Sequence, residues 1–271
     1  MPRTNYRTGT MTGQRDYQIN EFEAFADERI IGGHDAAPGE FPWVAAIWAE
    51  GIFFCGGSLV SPLYVLTAAH CVHRFSNFYV IMGAHELYVR SEATRQSRNT
   101  TTVIIHEDFE PKSYKNDIAL LRLSIPFFLT PWVRTIRLPS ALRRKDNTLD
   151  LETATLTGWG LEQYDAPELS TVLQKLDLRL ISNEYCALMF SQPDVIGNIQ
   201  LCANTTKDRS PCRGDSGGAL TVVEHDGRRT QIGIDSFSSG ACSEGYPEVF
   251  SRVSSFVPWL RSKMGFLANV L

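Results

Sequence analysis

Short stretches typical of β-strands recur along most of this 271-residue chain, and turn residues separate them. Examples lie at residues 64–67, 78–82, 101–105 and 118–123. Many short strands with turns between them are typical of an all-β barrel. The sequence therefore predicts an all-β fold, with a short helix around Cys186 capped by Ser182 and a C-terminal helix from about Phe256 capped by Ser254 or Ser255.

Composition excludes several classes of protein. The formal net charge is only −4, so the basic surface of a nucleic-acid-binding protein is not expected. No apolar run approaches the roughly 20 residues that cross a bilayer. Residues 1–29 are polar, are predicted to form a leader, and lack the apolar run of a secretory signal. We expect either that a signal precedes this sequence or that export is unusual.

The six cysteines are an even number, as expected for a disulfide framework, although six cysteines allow many pairings. No Cys-x-x-Cys pair is present, which argues against a zinc site. Disulfide bonds would place the protein in an oxidising compartment.

A glycine-rich stretch at residues 210–218 surrounds Ser216. Glycines let a tight turn bring backbone N–H groups close to a bound carbonyl oxygen. A serine hydroxyl is a weak nucleophile at neutral pH unless a base lies beside it. His70, next to Cys71, is the candidate base, and a Cys55–Cys71 bridge would hold the loop that carries it. The alternatives are an ordinary Gly-Ser turn and an ordinary core or surface histidine.

Six motifs in the same order as in one family decide between these alternatives. The chain resembles the chymotrypsin-like serine proteases over residues 30 to about 262, and within them the arthropod brachyurin and chymotrypsin group. The motifs that carry the resemblance are Ile-Ile-Gly-Gly from residue 30, Cys-Gly-Gly-Ser from 55, Leu-Thr-Ala-Ala-His-Cys from 66, Asn-Asp-Ile-Ala-Leu-Leu from 116, Thr-Gly-Trp-Gly from 157 and Gly-Asp-Ser-Gly-Gly from 214.

The resemblance implies a catalytic triad and an activation step. Ser216 would be the nucleophile, His70 the general base, and Asp117 the carboxylate that orients His70. The backbone N–H groups of Gly214 and Ser216 would form the oxyanion hole. Cleavage after Arg29 would free the amine of Ile30, which would pair with Asp215 because a buried carboxylate needs a partner.

The resemblance also implies the disulfide pairs Cys55–Cys71, Cys186–Cys202 and Cys212–Cys242. Some family members bind calcium in the loop after residue 82. Ala84 and Thr94 stand here where those members place carboxylates, so we expect neither calcium nor any cofactor.

By resemblance, the primary specificity pocket is built from residues 210–213, 236–238 and 247–250, with Phe237 as an aromatic shelf. Ser210 stands at the base, where trypsin-like members carry an aspartate, so an apolar pocket is expected. Ser238 replaces the usual glycine and would narrow the entrance. Glu248 either turns to solvent or points inward, where it is ionised and attracts Lys or is neutral. Asp235 stands where the family normally has an apolar residue.

These observations predict two antiparallel six-stranded β-barrels and a C-terminal helix, with residues 30–150 in the first barrel and 151–271 in the second. The predicted function is a secreted, zymogen-activated serine endopeptidase that cleaves after large apolar or aromatic residues, with secondary acceptance of Lys. The expected partners of a monomer are protein or peptide substrates, an activating trypsin-like protease and protein inhibitors. A digestive role follows from family analogy alone. The alternatives are a non-catalytic binding protein on the same scaffold and a cascade protease.

Overall fold

The computed structural model describes residues 31–140, 152–190 and 193–265. The predicted activation residues Arg29 and Ile30 lie outside the described residues. So do most of residues 139–151, whose polar and basic composition predicts a linker between the two barrels. Among the helices of the described ranges, none has the length and apolar character needed to cross a membrane.

The first barrel is a closed ring of six strands in the order β2-β3-β4-β7-β6-β5, and every pairing in it is antiparallel. Its apolar residues face inward, and they form one buried core that also includes residues of the C-terminal helix. Preceded by β1 (His34–Asp35), its strands are β2 (Val44–Ala49), β3 (Phe53–Ser61), β4 (Tyr64–Thr67), β5 (Phe78–Met82), β6 (Gln96–Ile105) and β7 (Ala119–Leu123).

The second barrel is a sheet in the order β1-β9-β10-β13-β12-β11-β8, and an additional pairing between β9 and β8 closes six of its strands into a ring. The predicted fold of two six-stranded barrels is therefore confirmed. The strands are β8 (Thr153–Gly158), β9 (Gln174–Ile181), β10 (Gln200–Asn204), β11 (Ala219–Val223), β12 (Arg229–Ser238) and β13 (Glu248–Arg252).

Each half of the sequence contributes one segment to the barrel formed by the other half. Strand β1 lies in the first half of the chain but pairs with β9 of the second barrel. The C-terminal helix α2 (Val253–Met264) follows the second barrel but buries Phe256 and Leu260 in the core of the first. These two exchanges tie the barrels together at both ends of the described chain.

One helix prediction is confirmed and the other is wrong in its start. Helix α1 (Asn183–Ala187) is capped by Ser182, whose hydroxyl accepts a hydrogen bond from the Tyr185 N–H. Helix α2 begins at Val253, with Arg252 as an N-cap that makes no side-chain cap hydrogen bond. Neither predicted serine caps it, because β13 runs directly into the helix and leaves no loop for a capping residue. A short 3-10 helix spans Pro193–Val195.

The barrels approach closely beside the predicted nucleophile. The Gly56 N–H donates a 2.8 Å hydrogen bond to the carbonyl oxygen of Ser216. A Cβ on Gly56 would lie 3.0 Å from the Cα of Gly218. Glycine is therefore needed here because the backbones of the two barrels are in contact. A buried 2.7 Å hydrogen bond from Ser58 Oγ to Gln231 Oε1 also joins the barrels.

Candidate active site

Neighbouring strands of the first barrel bring His70 and Asp117 together. Strand β4 ends at Thr67, which is paired with Ala119 at the start of β7. His70 follows β4 and Asp117 precedes β7, so both lie at the same end of this strand pair. His70 Nδ1 lies 2.7 Å from Asp117 Oδ2, and the His70 N–H donates to Asp117 Oδ1 at 2.8 Å.

Asp117 is fully buried, and both of its carboxylate oxygens are hydrogen-bonded. Besides the two bonds from His70, Ser236 Oγ donates to Oδ2 at 2.6 Å. An ionised carboxylate can only accept hydrogen bonds, so Nδ1 of His70 must carry the proton. This leaves Nε2 of the neutral ring as a proton acceptor, which is the tautomer that a general base needs.

Ser216 lies in the turn that precedes β11, where Gly214 adopts φ +100°. A Cβ on Gly214 would lie 2.5 Å from a side-chain carbon of Leu169 and 3.1 Å from the Cα of Gly160. Only glycine fits this conformation and this space. Within residues 31–140, 152–190 and 193–265, Ser216 Oγ makes no hydrogen bond, and His70 Nε2 lies 3.7 Å from Cys71 Sγ.

Asp215, next to Ser216, is fully buried. Oδ1 accepts the Gly160 N–H and Oδ2 accepts the Cys212 N–H, both at 2.9 Å. Burial raises the pKa of Asp215 to about 7, although these two hydrogen bonds act in the opposite direction. In the part of the chain that the structure describes, no cationic side chain forms an ion pair with Asp215.

A cavity of about 420 Å³ opens beside Ser216 where the predicted primary pocket was expected. Ser210 does not line it: its buried hydroxyl donates to the carbonyl oxygen of Pro211 and accepts the Ser243 N–H. The lining side chains come from three chain segments and from Tyr164. They are Pro211, Cys212, Arg213, Ser216, Asp235, Ser236, Phe237, Ser238, Ala241, Cys242 and Glu248.

Two carboxyl groups in this lining are buried. Glu248 is 7% exposed and Asp235 is 3% exposed, so Glu248 does not turn to solvent. Burial raises the pKa of each carboxyl group well above its usual range, and the negative charge of neighbouring carboxylates raises it further. Both acids thus lie in the wall of the 420 Å³ cavity. The sequence had indicated a place in the pocket for Glu248 but no role for Asp235.

Two neighbouring residues of the pocket lining, Phe237 and Ser238, make an aromatic contact and a polar contact. Ser238 Oγ donates to the carbonyl oxygen of Pro247 at 3.2 Å, which ties two walls of the pocket together. The rings of Phe237 and Tyr114 stack with centroids 5.4 Å apart, and Tyr114 meets the His70 ring edge-on at 5.5 Å. Sequence reasoning missed Tyr114, because its place beside His70 depends on a turn in which Tyr114 and Asn116 both adopt positive φ.

A second cavity, of about 740 Å³, is also lined by Ser216. Ile52, Phe53 and Tyr88 line it, and these three side chains are 80%, 40% and 47% exposed. Arg213 lines both cavities. Ser216 thus lines both the cavity with these exposed apolar side chains and the pocket that contains the acids.

Three disulfide bonds are present, and they are the pairs that the resemblance implies: Cys55–Cys71, Cys186–Cys202 and Cys212–Cys242. The first anchors the segment that carries His70. The third joins the loop of Ser216 to the opposite wall of the 420 Å³ cavity. Two of the three bonds therefore hold parts of the candidate site.

Among the described residues, one group of potential metal ligands lies close enough to share an ion: Cys55, His70 and Cys71. Both sulfur atoms are used in a disulfide bond, so this group does not fit a metal. The loop after β5 is the one in which some family members bind calcium. Here Thr94 Oγ1 donates a hydrogen bond to the carbonyl oxygen of Gly83, and the Glu92 carboxylate accepts hydrogen bonds from the N–H groups of His85 and Glu86.

Comparisons with known proteins agree on the family. A family profile described as Trypsin matches residues 30–260. The chain is 35% identical to brachyurin of Leptuca pugilator, over 87% of this chain and 99% of that protein. It is 34% identical to chymotrypsin of Phaedon cochleariae, over 90% of this chain and 85% of the relative. A solved collagenase structure aligns with a TM-score of 0.77 and 34% identity, covering 88% of this chain and 99% of that one.

Proposed function

Because the chain belongs to the trypsin family and is a chymotrypsin-like serine endopeptidase, we propose that Ser216, His70 and Asp117 are its catalytic residues. The observation that carries this proposal is the 2.7 Å contact between His70 Nδ1 and the buried Asp117 carboxylate, which also accepts a hydrogen bond from Ser236 in the wall of the pocket that Ser216 lines. Catalytic hydrogen bonds are often long before substrate binds, so the unbonded Ser216 hydroxyl is compatible with this assignment.

In the proposed reaction, Ser216 Oγ attacks the scissile carbonyl carbon while His70 Nε2 takes its proton. The oxyanion accepts hydrogen bonds from the N–H groups of Gly214 and Ser216, and one such donor contributes about 3–4 kcal/mol to barrier lowering. His70 then returns the proton to the leaving amine, and an acyl-enzyme forms. Water, deprotonated by the same histidine, then attacks the acyl carbon. The bond from that carbon to Ser216 Oγ breaks, His70 returns the proton to Oγ, and the acid product leaves. Asp117 stabilises the imidazolium in both halves.

The pocket supports a preference for large apolar or aromatic residues before the cut, with secondary acceptance of Lys. Ser210 places no charge in the cavity, and Phe237 supplies an aromatic wall. Glu248 is the group that would meet a Lys ammonium. A panel of peptides that differ only at the residue before the cut tests this preference, and a strict requirement for Arg would contradict it.

The enzyme is further proposed to be made as an inactive zymogen. Cleavage after Arg29 would free the Ile30 amine to pair with Asp215, which is buried and otherwise neutralised by taking up a proton. The ion pair would then hold the loop of the oxyanion hole. A trypsin-like protease would perform the cleavage. With three disulfide bonds, a secreted monomer that acts on protein substrates and is controlled by protein inhibitors is the proposed setting.

An active-site-directed sulfonyl fluoride tests the catalytic proposal directly. After cleavage at Arg29, the reagent should label Ser216, and the Ser216→Ala variant should take up no label and cleave no peptide. The uncleaved chain should react far more slowly than the cleaved one. A correctly cleaved, folded protein that does not react would overturn the proposal and leave a non-catalytic binding protein on the protease scaffold.

A further inference from the structure

We propose that Asp235 and Glu248 share a proton in the wall of the primary pocket, and that Asp235 thereby makes the selection between Lys and uncharged side chains depend on pH. This inference rests on the proposed function, because it concerns substrate selection by the same pocket. Asp235 is a positioning residue here: it acts on substrate through Glu248, and it does not take part in the bond-breaking steps.

The first observation is geometric. Asp235 lies on β12 and Glu248 begins β13, and these strands pair with an irregularity between Asp235 and Phe237. Asp235 pairs with Phe250, which lies on the same face of β13 as Glu248, so both carboxyl groups are on one side of the sheet, where both line the 420 Å³ cavity. Both side chains are buried in this wall, and the negative charge of Asp235 is among the causes that raise the pKa of Glu248. Two carboxyl groups side by side can form a hydrogen bond to each other only when one of them keeps a proton.

The second observation is an unused acceptor. Oδ1 of Asp235 is buried and receives no hydrogen bond from a backbone N–H, an amide or a hydroxyl group, although the residue is only 3% exposed. A buried acceptor without a partner is costly, so such an atom in a cavity wall indicates a donor that arrives with a ligand. The ammonium group of a substrate lysine has three N–H donors and a positive charge, and it suits a pair of acids that share one negative charge.

The surrounding charges favour the shared proton. The negative charge of Asp117 beside His70, and that of Asp215 in the nucleophile loop when it is ionised, oppose ionisation of Asp235. Arg213 and Tyr164 line the same cavity, and the Arg213 guanidinium lies over the Tyr164 ring at 5.4 Å. Within the described ranges, neither Asp235 nor Glu248 forms an ion pair with Lys, Arg or His. A bound lysine ammonium would therefore supply the cation that the wall lacks.

The protonation of the Asp235 and Glu248 pair determines how the preference for Lys changes with pH. At low pH the pair keeps its shared proton and carries one negative charge less than at high pH, so apolar and aromatic side chains are favoured over Lys. As the pH rises, the pair loses its proton, and a Lys ammonium can take the place of that proton. Because both substrates use the same His70 and Ser216, the ratio of kcat/KM for Lys over Met cancels the titration of His70. This ratio should rise with pH, up to about tenfold per pH unit below the apparent pKa of the pair.

The experiment measures this ratio between pH 5 and pH 9 with two peptides that differ only in Lys or Met before the cut. Asp235→Asn removes the neighbouring negative charge, so the midpoint of the profile should move at least one pH unit lower. Glu248→Gln should reduce the Lys to Met ratio at least tenfold at pH 8. Glu244→Gln removes an exposed carboxylate near the pocket rim and should leave the profile unchanged.

A ratio that does not change with pH in the wild-type enzyme, or a midpoint that Asp235→Asn leaves in place, overturns the proposal. Failure of both peptides to be cleaved would instead contradict the proposed function. If the variants do not fold, proton release can be counted in the wild-type enzyme from the heat of butylammonium binding in two buffers of different ionisation enthalpy. Release of a proton below the midpoint supports the shared proton, and no release overturns it.

Discussion

The amide nitrogen of Gly56 lies 2.8 Å from the carbonyl oxygen of Ser216, so the first barrel directly holds the backbone of the residue that carries the candidate nucleophile. This bond links strand β3 to the glycine-rich turn before β11. The same first barrel also carries His70 and Asp117. The position of Ser216 relative to His70 therefore depends on how closely the two barrels pack at Gly56.

Gly56→Ala tests this dependence. The new methyl group would lie 3.0–3.3 Å from backbone atoms of Gly218 and Asp215, which cannot move aside without shifting the nucleophile turn. We expect a loss of about 1–3 kcal/mol in the free energy of unfolding and at least a tenfold fall in kcat. Urea denaturation measures the free energy of unfolding, and peptide hydrolysis calibrated by active-site titration measures kcat.

Gly197→Ala is the matched control for Gly56→Ala, because a Cβ there meets only the Gln200 side chain at an ordinary 3.6 Å. Its kcat should remain near that of the wild type. If Gly56→Ala also kept its kcat, close contact between the barrels would not control the position of Ser216.

The Cys212–Cys242 bond should matter for selectivity as well as stability. Replacing both cysteines by serine opens a bridge of sequence separation 30 and should cost about 3–4 kcal/mol of unfolding free energy. Because the bond joins two walls of the primary pocket, KM for the preferred peptide should rise and discrimination between Phe and Ala before the cut should fall.

Removal of Cys186–Cys202, which has a sequence separation of 16, is the comparison for that experiment. It should cost a similar amount of stability, about 3 kcal/mol, without changing discrimination. Thermal unfolding and the peptide panel separate the two effects. Equal loss of discrimination in both double variants would show that the pocket responds to stability alone.

Tyr114 should contribute to binding of the part of the substrate that precedes the cut. Its ring stacks on Phe237 and contacts the His70 ring edge-on, so Tyr114→Ala should remove one aromatic wall. An aromatic contact of this kind is worth about 0.5–1.5 kcal/mol, so kcat/KM for a tetrapeptide should fall up to about tenfold. Tyr114→Phe keeps the ring and should keep most of the activity, and an equal loss in both variants would contradict a role for the ring.

Because Asp215 is buried, the stability of the uncleaved chain should depend on pH, and cleavage after Arg29 should change this dependence. Its folded pKa of about 7 lies above the ordinary value of 3.8, so the folded chain holds a proton that the unfolded chain releases. In the uncleaved chain its contribution to stability is fully present below about pH 4 and is lost as the pH rises through 7, a change of about 4 kcal/mol. Asp215→Asn should remove this change.

In the cleaved enzyme, the Ile30 ammonium would keep Asp215 ionised. Stability should then persist through pH 7 and fall only as the pH rises through the raised pKa of the amine. Urea unfolding between pH 4 and pH 10, with Ser216→Ala in both forms to prevent self-digestion, measures both curves. Parallel curves for the cleaved and uncleaved chains would argue against the activation proposal.

The motifs predicted much of the candidate site because they are local. Glycine is required at position 214 because the backbone there adopts a φ of +100°. Ser182 caps the helix α1 that begins at the next residue. His70 follows strand β4, whose residues are all buried. The order of these motifs along the chain was sufficient to predict the family and the two barrels. Such features depend on residues that are close together in sequence.

Tertiary packing decided the rest. The sequence left Glu248 either in solvent or in the pocket and assigned no role to Asp235, because burial depends on how β12 and β13 pair and on what covers them. The start of α2, the pairing of β1 with the second barrel, and Tyr114 beside His70 were likewise settled by contacts between distant segments. The sequence by itself thus determined the chemistry that the chain carries. Only the tertiary structure decided which charges are buried, because desolvation acts through space and takes no account of position along the chain.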